Sequence, residues 1–137
     1  MSVKAIGTGI KTNLGNVKGL NHIYAPNELP DSINEPPAAI IQHAGTEYGL
    51  TMGGGVDKHY FKIKIALTKQ DTPSAFNKLL DFLTRTGDDS IVEKLRDDTT
   101  LNGSASDITV MSNSGQGGFE WAGILYLGTE FNIEVYE

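Results

Sequence analysis

The sequence predicts an α+β fold: a mixed, mostly antiparallel sheet with an N-terminal helix and two central helices packed on one face. Three observations predict it. Apolar residues recur every three or four positions near the N-terminus and again in the middle of the chain, which is helical spacing. Apolar and polar residues alternate over residues 59–69, as in a half-buried strand. Three strand-like runs then follow one another across short turns near the C-terminus, which favours antiparallel pairing.

The N-terminal part is predicted to contain a helix, a connector and a strand. The helix covers about residues 3–17, and Gly19 follows it as a stop signal. Residues 24–37 hold four prolines among polar residues, which predicts an extended connector. The compact apolar run at residues 38–43 predicts a strand. The buried stripe of the helix is expected to be Val3, Ile6, Ile10, Leu14 and Val17.

The alternating strand at residues 59–69 leads into the first central helix, within residues 70–87. Thr72 is its predicted N-cap, Pro73 its first helical residue and Gly87 its end. The strand is expected to bury Phe61, Ile63, Ile65 and Leu67 and to expose Tyr60, Lys62 and Lys64. The buried stripe of the helix is expected to be Ala75, Phe76, Leu79, Leu80 and Leu83.

The second central helix and three strands complete the predicted fold. Ser90 and Glu93 have the spacing of a capping box, in which each side chain bonds the backbone of the other residue. Residues 106–111, 118–128 and 129–137 are predicted to be successive strands. Phe119, Trp121, Leu125 and Leu127 are expected to share one face of the second of these, and Phe131, Ile133 and Val135 one face of the third.

Length and composition exclude several classes of protein. The chain has 137 residues, no cysteine and a formal net charge of −6. The length fits one domain, expected to span residues 1–137, and the absence of cysteine excludes disulfides and thiolate metal sites. The acidic charge argues against a surface that binds duplex DNA through clustered Lys and Arg. No apolar run approaches the roughly 20 residues of a membrane span, and no secretory signal is expected at the N-terminus.

The stretch LTMGGGVDKH at residues 50–59 has two interpretations, a phosphate-binding loop or the tip of a hairpin. A phosphate-binding loop leads into a helix, whose N-terminal amides and dipole meet the phosphate. Here the glycines lead into a strand instead. The sequence therefore favours a flexible, Gly-rich hairpin loop over about residues 44–58, because glycine adopts positive φ without steric cost.

The remaining candidates for chemistry are weak. His22, His43 and His59 lack the spacing of a helical metal site, although His43 and His59 are positioned to meet across a hairpin. The adjacent acids Asp88–Asp89 and Asp97–Asp98 point in different directions and make poor acid–base pairs. Aromatic stacking of a nucleobase is the alternative to core packing for Trp121 and Tyr126, which have no interleaved Arg or Lys. No catalytic, cofactor-binding or metal-binding residue is predicted.

The order of the predicted elements and several sequence stretches within them resemble a known protein family. The similarity covers nearly the whole chain and is carried by HIYAPNELPDSINEPPAAII, HYFKIKIAL, PSAFNKLLDFL, SIVEKLRDDTTLNGSASDITV and WAGILYLGTEFNIEVYE. On these stretches the chain resembles the tail terminator, or tail completion, proteins of long-tailed, lambda-like siphophages. The resemblance implies a structural virion protein rather than an enzyme, and it implies no cofactor.

The resemblance also implies partners. Such proteins form a ring, usually of six copies, at the head-proximal end of the tail, and they are in the host cytoplasm during assembly. The ring ends polymerisation of the major tail tube protein and offers its other face to head-completion or neck proteins, while DNA passes through its lumen. In this setting the hairpin becomes the candidate contact with a neighbouring subunit or the tube. Its residues are Met52, Gly53, Gly54, Gly55, Val56 and Asp57.

Two alternatives remain at this point. One is a head-closure or other minor tail protein of the phage neck. The other is a small-molecule-binding or enzymatic α+β domain, which would have a deep pocket around a titratable group.

Overall fold

The computed structural model describes residues 3–30, 33, 37–49, 57–68, 80–96, 105, 107–115, 117–121 and 123–136. The elements in chain order are α1 (Val3–Leu14), β1 (His22–Tyr24), β2 (Ala38–Glu47), β3 (Lys58–Thr68), α2 (helical at residues 80–83), α3 (Ile91–Arg96), β4 (Asp107–Asn113), β5 (Gly117–Trp121) and β6 (Ile124–Tyr136). The predicted α+β fold is confirmed. None of the helices in these residues is long and apolar enough to cross a membrane.

The six strands form one sheet in the order β1-β2-β3-β6-β4, and β5 also pairs with β6. Only β1 and β2 pair in parallel; the other pairs are antiparallel. Strand β6 is the centre of the sheet, because β3 pairs along most of its length while β4 and β5 pair with successive parts of it. Within the described residues, β4 is therefore an edge strand.

The main core lies between the helices and one face of the sheet. The apolar stripe of α1 and the alternating residues of β3 are buried there, as the sequence predicts. Every second residue of β6 joins them, namely Phe131, Ile133 and Val135. Burying a large apolar side chain contributes about 1.5–3 kcal/mol, so this layer supplies most of the driving force for folding.

A second, smaller apolar cluster lies on the opposite face of the sheet. It consists of Ile33, Ala38, Ile40, Ala66 and Tyr126, with Tyr24, Phe119, Trp121 and Ile124 packed against it. Two contacts attach the Pro-rich connector to this face. Trp121 Nε1 donates to the carbonyl oxygen of Pro30 at 3.0 Å, and the backbone N–H of Ile33 donates to the hydroxyl of Tyr126 at 3.4 Å. Trp121 and Tyr126 therefore pack in this cluster.

The N-terminal elements differ from the prediction in their bounds. Helix α1 ends at Leu14, three residues earlier than predicted, although Val17 is still buried. His22, which follows the predicted helix and its stop signal at Gly19, lies in the short strand β1. The sequence did not reveal this strand, because three residues are too few for a periodic pattern. Strand β2 runs to Glu47, so strand pairing occupies the first part of the predicted loop.

The predicted boundary between the last two strands, at residues 128 and 129, is wrong. The turn lies near Gly123, whose φ is 82°, and β6 continues unbroken through residues 128 and 129. Trp121 therefore pairs with Ile124, so odd-numbered residues of β5 lie on the same face of the sheet as even-numbered residues of β6. As a result, Leu125 and Leu127 do not share the face of Phe119 and Trp121, and Leu125 is 66% exposed.

The central helices correct two further predictions. Leu80, placed in the buried stripe, is 49% exposed, and the core residue of this turn is Phe82, whose ring lies against Gly19. Apolar residues occur on several sides of this segment, so spacing alone did not decide which face is buried. Residues 70–79, with the predicted cap at Thr72 and Pro73, lie outside the described residues.

Of the two hydrogen bonds predicted for the capping box of α3, the structure contains the one accepted by Ser90 and lacks the one accepted by Glu93. Ser90 Oγ accepts a hydrogen bond from the backbone N–H of Glu93 at 3.1 Å, as an N-cap does. The carboxylate of Glu93 accepts from the N–H of Gly87 at 2.9 Å instead of reaching back to Ser90. Gly87 does not end α2, which stops at residue 83, but forms the following turn with a φ of 123°.

Candidate interaction surface

The hairpin that joins β2 and β3 is the predicted interface. Its last registered pair is Glu47 with Lys58, and the N–H of Gly49 donates to the carboxylate of Asp57 at 3.0 Å just beyond it. Tyr48 is 78% exposed, more than any other exposed large apolar residue of the described part. Of the predicted interface residues, Asp57 is described, whereas Met52, Gly53, Gly54, Gly55 and Val56 lie outside the described residues.

Two histidines meet at the base of this hairpin. His43 Nε2 and His59 Nδ1 each lie 2.8 Å from Thr46 Oγ1, and the two ring centroids are 6.1 Å apart. A register shift between His43 and Gly45 produces this arrangement, because the bulge brings residues 43 and 46 to the same face of the sheet. His59 is only 3% exposed.

Of the two histidines, His43 has a pKa that lies below its usual value. Burial, and then repulsion from His59, lower the pKa of His43, while a hydrogen bond with the backbone of Gly45 opposes them. In the part of the chain that the structure describes, no group of three or more His, Cys, Asp or Glu side chains is placed to hold a metal ion.

A ladder of charged and aromatic side chains covers the sheet face opposite the helices. Lys58 bonds Glu134 at 2.8 Å, and Lys64 lies 3.5 Å from Glu130. The hydrogen bond with Glu134 raises the pKa of Lys58 well above its usual range. Each ammonium group also lies over two aromatic rings, at 5.1–5.8 Å from the ring centroids. The sequence predicted that Lys64 is exposed to solvent. In the structure it is instead held by Glu130 and two aromatic rings.

An open groove of about 410 Å³ lies on this same face. Its polar walls include Tyr60, Lys62, Ser112, Asn132 and Glu134. Asn132 donates to Ser112 at 3.0 Å, and Glu134 is already bonded to Lys58, so most of these groups have partners within the protein. The size is that of a small-molecule site, but the polar groups are used structurally.

A second concave region, the arginine cleft, lies between the central helices and the edge strand β4. It has a volume of about 270 Å³, and Arg85 and Arg96 both line it. These two residues are the only arginines of the whole chain. The apolar side chains of the cleft are Leu83, Val92, Val110, Met111 and Phe131. The sequence did not indicate this site, because Arg85 follows α2 and Arg96 ends α3, eleven positions later, and only the scarcity of arginine is visible.

Of the two pairs of adjacent acids, the structure describes Asp88 and Asp89. Asp88 forms an exposed ion pair with Lys18 at 3.4 Å, which contributes little to stability. One buried oxygen of Asp89 has no hydrogen-bond partner among the residues that the structure describes. Asp97 and Asp98 lie outside the described residues.

Comparison with known proteins gives no family for this chain. A scan against protein-family models found no match. A search of curated proteins also found none. The sequence and the geometry of these surfaces therefore carry the functional argument.

Proposed function

We propose that this chain is a structural protein of a long-tailed bacteriophage. Copies of it form a ring that caps the head-proximal end of the tail tube, ends polymerisation of the tube and provides the surface to which the head joins. One observation carries the proposal beyond the sequence resemblance. The β2–β3 hairpin presents an exposed aromatic ring, Tyr48, beside Glu47 at the end of the sheet. An exposed aromatic beside a polar group is typical of a protein–protein contact.

The charge of the chain supports the proposed passage of DNA through the ring. Each chain carries −6, so six copies carry about −36. A lumen inside a strongly acidic ring repels phosphate groups, which lets DNA slide without being held.

The test is the length of tail tubes assembled with and without the protein. Major tail tube protein is polymerised in the presence of the purified chain, and tube lengths are measured by negative-stain microscopy. We expect tubes that stop growing, carry a ring at one end and join to heads. Tubes that overgrow in its presence would contradict the proposal. Native mass spectrometry of the ring then counts its copies, for which six are expected.

The two alternative functions predict different experimental results. A head-closure or minor tail protein of the neck would bind heads or another neck component and leave tube length unchanged. The groove beside Lys62 is the one observation that favours a small-molecule-binding domain, because its volume suits a ligand. A thermal-shift screen of metabolites tests this alternative, and a ligand that stabilises the chain at micromolar concentration would favour it.

A further inference from the structure

We propose that the arginine cleft of one copy receives the β2–β3 hairpin of a second copy. Tyr48 of the incoming hairpin lies on the apolar floor of the cleft, and Glu47 pairs with Arg85 and Arg96. This inference rests on the proposed ring and specifies the contact from which the ring is built.

The cleft combines an apolar floor with two cations. Leu83, Val92 and Val110 line the cleft and are only partly buried against the main core, so they make an apolar surface that solvent still reaches. Arg85 and Arg96 are both exposed. An apolar floor between guanidinium groups fits a side chain that is apolar and aromatic beside a carboxylate, because arginine stacks on aromatic rings and bonds carboxylates in a bidentate manner.

Neither arginine has an acidic partner among the described residues. Every ion pair found there uses a lysine as its cation. The chain has 17 acidic residues and only two arginines, so two guanidinium groups that share one cleft without an ion pair to any described residue are unexpected in an isolated molecule. Arginine is enriched at the energetic centres of protein interfaces, which indicates a partner at this position.

The hairpin has the complementary chemistry. Glu47 is exposed and forms no ion pair with a described residue, since Lys58, its register partner across the hairpin, is bonded to Glu134. Tyr48 follows it directly and is highly exposed. An acid and an aromatic ring at adjacent positions thus match two arginines above an apolar floor.

The hairpin and the arginine cleft are two different surfaces of one copy. Strand β2 is separated from β4 by β3 and β6, so the hairpin and the arginine cleft lie at different places on the sheet. When two copies do not make the contact reciprocally, it is heterologous, and its repetition generates a closed ring when the rotation closes. Nucleic acid is a poorer occupant, because the floor is apolar and the chain is acidic.

Disulfide trapping tests the contact directly, since the chain contains no cysteine. Two single-cysteine variants, Tyr48→Cys and Met111→Cys, are mixed and oxidised; Met111 is exposed at the cleft. Disulfides form only when the two Cα atoms approach within about 7 Å, so a heterodimer reports docking. The control mixes Tyr48→Cys with Leu125→Cys, an equally accessible position away from the cleft. We expect heterodimer in the first mixture at about tenfold or more above the control; equal yields would overturn the proposal.

Charge exchange tests the named partners. Adding Arg85→Glu and Arg96→Glu to the Met111→Cys chain should lower the heterodimer yield by about tenfold or more. Adding Glu47→Arg to the Tyr48→Cys chain then restores the opposite charges, and the yield should recover. A loss without recovery would overturn the assigned pairing. If the arginine variants do not fold, the wild-type arginines in the first trapping experiment still decide the question.

The outcome separates this inference from the proposed function. Capped tubes without Tyr48–Met111 cross-links leave the function standing and overturn the docking mode. Cross-links together with tubes of uncontrolled length leave the docking mode standing and overturn the function. A fluorescein-labelled DNA oligonucleotide that binds the wild-type chain but not the double arginine variant would also overturn the docking mode.

Discussion

Gly128 lies where the sheet leaves no room for a side chain. It pairs with Ala66 on one side and with Gly117 on the other, in the middle of β6. A Cβ atom at this position would overlap the carbonyl oxygen of Ile65, which is backbone and cannot rotate away. The sequence did not reveal this requirement, because close approach of two strands is a tertiary property. The sequence instead predicts a boundary between two strands at residues 128 and 129.

Gly128→Ala should therefore destabilise the protein by about 2 kcal/mol or more, because β3 and β6 must separate to admit the methyl group. The matched control is Gly117→Ala, its partner on β5, where a Cβ meets nothing within 4 Å. That change should stay within about 0.5 kcal/mol of the wild type. Urea unfolding measures both variants. Equal midpoints for the two would show that the strands are not held this closely.

Among the elements, the β2–β3 hairpin shows what sequence patterns can and cannot predict. The alternation of apolar and polar residues in β3 correctly predicted its buried residues. Successive side chains of a strand point to opposite faces of the sheet, so a strand with one buried face has an apolar residue at every second position. The bulge in β2 was invisible, since residues 43–47 have no apolar pattern that records an extra residue. The bridge from His43 through Thr46 to His59 depends on that bulge.

The hairpin should lose stability as pH falls. The pKa of His43 in the folded chain lies below its unfolded value of about 6.5, so the unfolded chain binds the proton more strongly. The contribution to stability is fully present above that value and is lost as pH falls through it, levelling off below the folded pKa. His43→Gln removes this titration and should narrow the difference between urea midpoints at pH 7.5 and pH 5.5. Identical differences in the variant and the wild type would contradict the assignment.

At the scale of the whole molecule, the sheet has an apolar layer on each face. The main core contains the helices, and the smaller cluster attaches the connector through Trp121 and Tyr126. The sequence predicted the helix layer, because amphipathic helices need a sheet to cover. It did not predict how the connector packs, because Ile33 and Pro30 contact residues about ninety positions away.

The two layers should unfold together. Trp121 is the only tryptophan of the chain, so its fluorescence reports the smaller cluster, whereas far-ultraviolet circular dichroism reports the helices and the sheet. A single cooperative domain requires coincident urea transitions for the two signals. A fluorescence transition at lower urea concentration would instead mean that the connector detaches before the main core unfolds.

The confinement of both arginines to one cleft gives this protein a chemical handle. An arginine-selective dicarbonyl reagent leaves lysine side chains largely untouched, so the side chains it modifies all lie at this one place on the molecule. The mass increase of the labelled chain therefore gives the number of modified arginines, which reports whether solvent reaches this cleft. No mutation is needed. Labelling of free chains and of assembled particles then footprints the same few ångströms of surface in both states.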